Sequence, residues 1–261
     1  MDEKLVKSCW EKNADNWTKL SRAGFDVYRD FMNTPHFLKM LPDVKGKLGL
    51  DVGCGEGTNT RRVAELGASL KAIDISETFI KHAREMEKAD PKGIEFFSSP
   101  AQSIPFPDKT FDFVTAFMTL MDMADLEGAF REIFRVLKPG GFLQFNICHP
   151  CYDLPLRKKV TDENGEEIGY TVGGYFDDTV TMYEWCFSNA PVEMKANMEK
   201  FQIPAKHRTL SQWVNLMLGT GFVIEKFDEP YATDEEIAAC PAVRDTRILG
   251  YFLHVRVRKP A

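Results

Sequence analysis

From Leu48 to Ile147 the chain alternates short, almost unbroken apolar runs with longer stretches whose apolar residues recur every three or four positions. The runs Leu48–Val52, the one ending on Asp74, Ile94–Phe97, Phe111–Ala116 and Phe142–Ile147 read as strands buried on both faces, the pattern of a parallel sheet. Parallel neighbours need a crossover of about a dozen residues or more, and Asn59–Ala68 with its flanks supplies the first. Ser76 is placed to cap a helix over Glu77–Lys88 whose Phe79, Ile80, Ala83 and Met86 share one side. Leu126–Leu137 is a second amphipathic helix, stopped by Pro139-Gly-Gly141.

The flanks have other rhythms. Lys4–Trp17 and Phe25–Leu41 predict helices broken at Gly24 and at Asn33-Thr-Pro35. Cys151–Arg208 predicts a β-rich, aromatic insertion. In it Val160–Glu163 and Glu166–Tyr170 flank Asn164-Gly165, a strong hairpin signal, and Gly173–Phe176 and Thr179–Phe187 continue as extended chain. Thr209 and Gln212 form a capping box for a helix through Leu218. Phe222–Phe227 and Ile248–Val257 return as strands. The expected fold is a doubly wound, seven-stranded, mostly parallel α/β sheet with a β-rich insertion after its fifth strand. The expected divisions are 1–43 as an N-terminal helical cap, 44–150 as the α/β core, 151–208 as an insertion that roofs the substrate or joins two copies, and 209–261 as the rest of the core.

The first strand runs into Asp51-Val-Gly-Cys-Gly-Glu-Gly57. Gly53 and Gly55 allow positive φ and let a ligand lie on bare backbone, beside the unsatisfied N–H groups of the next helix. Asp74 stands twenty-one residues after Gly53, where nucleotide-binding folds put the carboxylate that takes two ribose hydroxyls. The expected ligand therefore contains adenosine. A dinucleotide fingerprint wants its third glycine at position 58, which is Thr, and Asp51 and Glu56 bring negative charge to a loop that would otherwise hold a pyrophosphate. A sulfonium or an ammonium suits that loop better.

This run, Asp74, Ser103-Ile-Pro-Phe-Pro-Asp108 with Phe111-Asp112, and Leu137-Lys-Pro-Gly-Gly141 together resemble the class I S-adenosylmethionine (SAM) dependent methyltransferases, in the small-molecule branch called methyltransferase type 11. The resemblance is close over Val44–Ile147 and weaker over Arg208–Pro230. It implies a sheet whose final strand is antiparallel, and SAM as cofactor. It also implies a cofactor shell of Asp51, Gly53, Cys54, Gly55, Asp74, Ile75, Phe79, Ala101, Gln102 and Phe117. In the N-terminal segment Trp17, Tyr28 and Arg29 either close on the adenosine and the methionine carboxylate or are core aromatics and a surface arginine. Pro100 stands where the family often has an acid that meets the adenine amino group, leaving Ala101 and Gln102 to serve. Phe117, Met118 and Met121 leave the C-terminal end of a strand, where ligands collect.

Methyl transfer needs a general base only if the acceptor arrives protonated. The residues placed to act as base or anchor are His149, Tyr152 and His207, each with an ordinary packing role as its alternative. Cys148-His-Pro-Cys151 is a single pair, whereas a structural zinc needs four ligands, so no metal is expected. A net charge of -6 argues against a surface that tracks phosphates, hence against nucleic acid as partner. The N-terminus lacks the apolar core of a signal peptide and no apolar stretch is long enough to span a bilayer, so the expectation is a cytoplasmic protein without a membrane role, with a homodimer left open. The alternatives are a tRNA or protein methyltransferase of the same fold, an NAD(P)-dependent oxidoreductase, and a SAM-binding module without catalysis.

Overall fold

The computed structural model describes residues 1–261. In chain order the elements are α1 (Glu3–Arg22), α2 (Thr34–Met40), β1 (Leu48–Val52), α3 (Thr58–Ala64), β2 (Ser69–Asp74), α4 (Glu77–Ala89), β3 (Glu95–Ser98), β4 (Phe111–Phe117), α5 (Leu126–Val136) and β5 (Leu137–Cys148). They continue with β6 (Leu156–Thr161), β7 (Glu167–Gly173), β8 (Val180–Trp185), α6 (Val192–Ala196), β9 (Phe201–Lys206), α7 (Leu210–Thr220), β10 (Val223–Asp228), α8 (Asp234–Ala239) and β11 (Phe252–Arg258).

The main sheet runs β3-β2-β1-β4-β5-β11-β10. β1 to β5 are mutually parallel, and β11 is antiparallel to both its neighbours. The reversal of strand order beside β1 opens a crevice at the C-terminal ends of β1 and β4, where doubly wound sheets bind ligands. Helices cover both faces. Phe130, Ile133, Trp213 and Met217 of α5 and α7 join Leu50, Val114, Phe145 and Val255 in one core. Phe37, Val63, Ile80 and Ala83 of α2, α3 and α4 join Phe113 and Phe142 in the other.

The insertion is built differently. β6 pairs only with β7, and β8 only with β9. Leu156, Ile168, Val172 and Phe176 are exposed there. Phe187 and Phe201 are buried with Leu20, and Trp17 and Trp185 pack against them, which ties β9 to α1.

Several boundaries differ from expectation. Pro35 does not break a helix: it sits in the first turn of α2, where its missing N–H costs nothing, and the break is at Gly24 (φ 80°). The β6–β7 connection is a five-residue loop rather than a two-residue turn at Asn164-Gly165. The Asp162 carboxylate accepts the N–H groups of Asn164 and Glu166, and the Asp162 N–H returns to the Glu166 carbonyl. α5 ends at Val136, before Pro139, and Leu137-Lys-Pro-Gly-Gly141 already belongs to β5. β9, α6 and α8 were not anticipated. α8 opens with a second capping box, Thr233 with Glu236.

Candidate active site

The turn between β1 and α3 has three glycines with positive φ, and two of them show why. A Cβ on Gly53 (φ 69°) would lie 2.0 Å from Thr119 Oγ1, so glycine is required for packing as well as for backbone shape. Gly55 (φ 54°) has nothing within 4 Å of the position a Cβ would take. Its bare face therefore looks into open space at the mouth of the crevice.

Asp74 ends β2 directly opposite. Its Oδ2 accepts the Gly55 N–H at 2.8 Å and its Oδ1 accepts the Ser76 N–H at 2.9 Å. Burial pushes the carboxyl up to about 6, against the lowering effect of those two N–H groups. A carboxylate so held is oriented by the backbone and still has acceptor capacity toward the crevice. Glu11 of α1 reaches the start of α4, accepting from Ser76 Oγ at 2.7 Å and from the Thr78 N–H at 3.1 Å. Trp10 of the same helix lies 6.1 Å from Phe79 between ring centres.

The charges first assigned to the loop are disposed otherwise. Asp51 is buried, pointing inward to accept from Thr60 Oγ1 at 2.5 Å and Thr115 Oγ1 at 2.8 Å. Glu56 is already paired: Arg22 and Arg29 lie at 3.4 and 3.5 Å, with Ser21 and Thr58 hydroxyls donating to the same carboxylate. Glu56 is paired with cations and Asp51 points away from the loop's open face, so the electrostatic case against a pyrophosphate weakens and the case rests on Thr58.

Tyr28 and Arg29 part company. Arg29 lies by the glycine loop, bound to Ser21, Asp30 and Glu56. Tyr28 is turned away, its hydroxyl donating to Asp245 at 2.6 Å within a group containing Tyr152, Tyr170 and Tyr251. The side chain of Gln102 donates to Glu3 at 2.5 Å, Ala101 is buried, and Ile75 is half-buried. Cys54 is buried, and burial pushes its thiol up. Phe117 packs on Phe37 at 3.9 Å between ring centres.

Beyond β4 the chain is strained where it turns. Met118 has φ 50°, and its N–H donates to both the carbonyl and the side-chain oxygen of Asn146. A non-glycine residue with positive φ, pinned in this way, marks a position where the surrounding structure dictates the chain path. Thr119 then packs on Gly53, and a 3-10 turn over Leu120–Asp122 follows.

The expected bases fare unequally. His149 Nδ1 accepts the Cys151 N–H at 3.0 Å, so Nε2 carries the proton it shares with Glu229 at 2.8 Å. Both nitrogens are engaged, and the ring has no free base. Tyr152 is stacked on Tyr251 at 3.9 Å and covered on its ring face by Arg157, and its hydroxyl is pushed up to about 12 by burial. His207 donates from Nδ1 to the Asp153 carbonyl at 2.9 Å, which leaves Nε2 as a buried acceptor with no partner. The six cysteines are all free thiols.

Residues 50–145 match the family described as "Methyltransferase domain". A solved S-adenosylmethionine dependent methyltransferase from Mesorhizobium loti superposes with a TM-score of 0.71 at 28% identity, covering 86% of this chain and 96% of its own. The chain carries a class I SAM-dependent methyltransferase domain. Among curated relatives, the demethylmenaquinone methyltransferase of Listeria welshimeri is 32% identical over 153 residues, 57% of this chain and 64% of that protein. The fatty-acid O-methyltransferase of Mycolicibacterium smegmatis is 34% identical over 139 residues, 52% and 47% respectively. The chain thus spans less than two thirds of either relative. No helix of the chain is long and apolar enough to cross a membrane.

SAM is the cofactor of this family, and the crevice suits it: a glycine with an open face, an oriented carboxylate opposite, and Phe79 with Trp10 as apolar walls. Glu11, Trp10, Thr119 and Asp122 were missed in the sequence. Glu11 and Trp10 lie on a helix whose docking site no local pattern reveals. Thr119 and Asp122 follow residues already expected to face ligand, but only the turn geometry shows which side chains point where.

Proposed function

We propose that the protein transfers the methyl group of SAM to a small-molecule acceptor seated between the C-terminal ends of β4 and β5 and the insertion. The observation that carries this reading is the pairing of Gly55, open-faced, with Asp74, held by two backbone N–H groups. In it Asp74 takes the ribose hydroxyls. Gly55 leaves room for the methionine portion, Gly53 seats the turn on Thr119, Arg29 lies near the carboxylate, and Ile75, Phe79, Ala101 and Gln102 frame the adenosine. Cys54, Phe117 and Asp51 support the loop from behind. Bound there, SAM supplies a methyl carbon already activated by its sulfonium, so the chain contributes orientation and exclusion of water, effects that reach about 7–11 kcal/mol in well-aligned reactions.

The insertion, 151–208, acts as roof to the acceptor in this reading. Its β9 packs on α1 and on the turn after β4, and Tyr175 accepts the Leu210 N–H at 3.0 Å. A small-molecule acceptor is supported by the relatives' names and by the net charge of -6, which disfavours a tRNA acceptor. The test is differential melting. SAM or S-adenosylhomocysteine at a hundredfold its dissociation constant should stabilise by about 2.7 kcal/mol and NAD should not. A shift with NAD and none with either adenosyl compound overturns the reading.

A further inference from the structure

The polar groups around the acceptor position do not balance. Asp122 ends the 3-10 turn that Thr119 anchors on the glycine loop, its N–H donating to the Thr119 carbonyl at 3.0 Å. Asp153 follows β5 and lies close enough to Asp122 for the two charges to oppose each other. Neither carboxylate accepts a hydrogen bond or an ion pair from any residue of the chain. Beside them His207 presents the unpartnered Nε2 described above, its tautomer fixed by the Asp153 carbonyl. The two cations nearby favour the charged acids only through space, Arg157 that of Asp153 and Arg208 that of Asp122, while Arg157 donates to the Tyr152 carbonyl at 2.9 Å and Arg208 to the Met121 carbonyl at 3.3 Å. Cys148 and Tyr183 complete the surroundings and carry no charge at neutral pH, since burial pushes both up.

Two half-buried carboxylates and one buried imidazole nitrogen, none with a donor from the chain, suit a ligand that brings donors, because a buried nitrogen left unpaired is costly. We infer that Asp122, Asp153 and His207 form the acceptor site of this methyltransferase and select a small primary amine, with Asp122 as its general base. The inference rests on the proposed function and names its substrate class. A primary ammonium carries three N–H donors, one for each acceptor, and the half-exposed Tyr183 ring offers a face to the cation. The ammonium gives one proton to the Asp122 carboxylate, which frees the nitrogen lone pair. The new carbon–nitrogen bond forms as the methyl–sulfur bond breaks with its electron pair left on sulfur, and the methylated product leaves as an ammonium. Burial, with the Asp153 charge adding to it and Arg208 opposing it, pushes the Asp122 carboxyl up to about 8, so the empty site ionises it only toward that pH, and an ammonium beside it favours the charged form that takes the proton.

The experiment is titration of the full chain, saturated with S-adenosylhomocysteine, with phenethylamine, 2-phenylethanol and 3-phenylpropionate, followed by turnover of phenethylamine with SAM. The amine is expected to bind, the alcohol to bind at least tenfold more weakly and the carboxylate not at all. Asp122→Asn and Asp153→Asn should keep S-adenosylhomocysteine affinity, which also reports that they fold. Asp153→Asn should raise KM with kcat held, and Asp122→Asn should lower kcat at least a hundredfold. Absence of amine binding to the loaded chain, tighter binding of the alcohol or carboxylate, or amine affinity unchanged in both variants overturns the assignment. If S-adenosylhomocysteine itself does not bind, the methyltransferase reading falls first and this one with it.

Discussion

The two ends of the crevice are finished to different degrees. On the cofactor side nearly every polar group is satisfied within the chain: Asp51 by two threonines, Glu56 by two arginines, Asp74 by two backbone N–H groups. On the acceptor side Asp122, Asp153 and His207 Nε2 stand without partners beneath a roof of separate hairpins with exposed apolar residues. In the proposed reading the first side is a preorganised receptor for one ligand, and the second keeps acceptor groups free for another. Recognition of a fixed cofactor can be built into the fold's own hydrogen bonds. Recognition of a variable acceptor is carried by groups that the fold leaves unsatisfied.

The largest expected effect tests the cofactor side. Asp74→Ala removes two charge-assisted hydrogen bonds of about 1.5–3 kcal/mol each and should weaken S-adenosylhomocysteine binding by a hundredfold or more in titration calorimetry. Glu56→Ala should cost less, since Glu56 meets arginines rather than ligand; equal losses would show that the ribose site is misplaced. In the unaltered protein, affinity should fall as pH drops below about 6, where Asp74 takes up a proton.

The neighbouring glycines separate packing from binding. Gly53→Ala combines a positive φ, about 1–2 kcal/mol, with a Cβ 2.0 Å from Thr119, and should lower the melting temperature by many degrees. Gly55→Ala carries the backbone cost alone, so it should melt closer to the parent while losing cofactor affinity. The same ranking in melting and in binding would remove the distinction drawn between them.

Asp122 offers a smaller effect of opposite sign. Its folded-state carboxyl titrates at about 8, above its ordinary value, so between about pH 4 and pH 8 the folded chain holds a proton the unfolded chain has lost. Stability from this group is therefore full below about pH 4 and is lost as pH rises toward 8. Asp122→Asn should stabilise the ligand-free protein, by about 1–3 kcal/mol at pH 8 and by little at pH 4. A melting difference that does not grow with pH would mean the carboxyl is solvated.

The smallest expected effect is at the roof. Replacing Val160–Gly169 by a short glycine-serine linker removes the outer half of the β6–β7 hairpin and keeps Tyr170 on Tyr251 and Arg157 on Tyr152. The melting temperature and cofactor affinity should stay near those of the parent while turnover falls. A cut extended to Trp185 would also take β8 from β9 and disturb α1.

This contrast also explains what could be read in the sequence. The parallel strands, the capping residues Ser76 and Thr209, and the Gly53–Asp74 pair were legible because local rules force them: buried strands need apolar runs, helix starts need side-chain acceptors, and bare backbone needs glycine. Glu56 misled because its arginine partners lie more than twenty residues away in a different element. His149 looked like a base until its two nitrogens proved to be engaged. Asp122 was passed over beside Met121 because an acid in a loop carries no mark of burial. β9 was missed because Pro204 interrupts its short apolar run and its support, α1, is distant in sequence.

The packing of α1 also equips the protein with an optical reporter. Trp10, Trp17 and Trp185 form one group with ring centres 5.6–6.2 Å apart, and Trp10 touches Phe79 at the edge of the crevice. The fourth tryptophan, Trp213, is buried in the opposite core beside Phe130 and Phe145. Three indoles thus sit where a ligand's arrival changes their surroundings, over the steady emission of one that does not feel it. Quenching or a spectral shift should follow cofactor entry in real time without any added label, and Trp10→Phe should remove most of it.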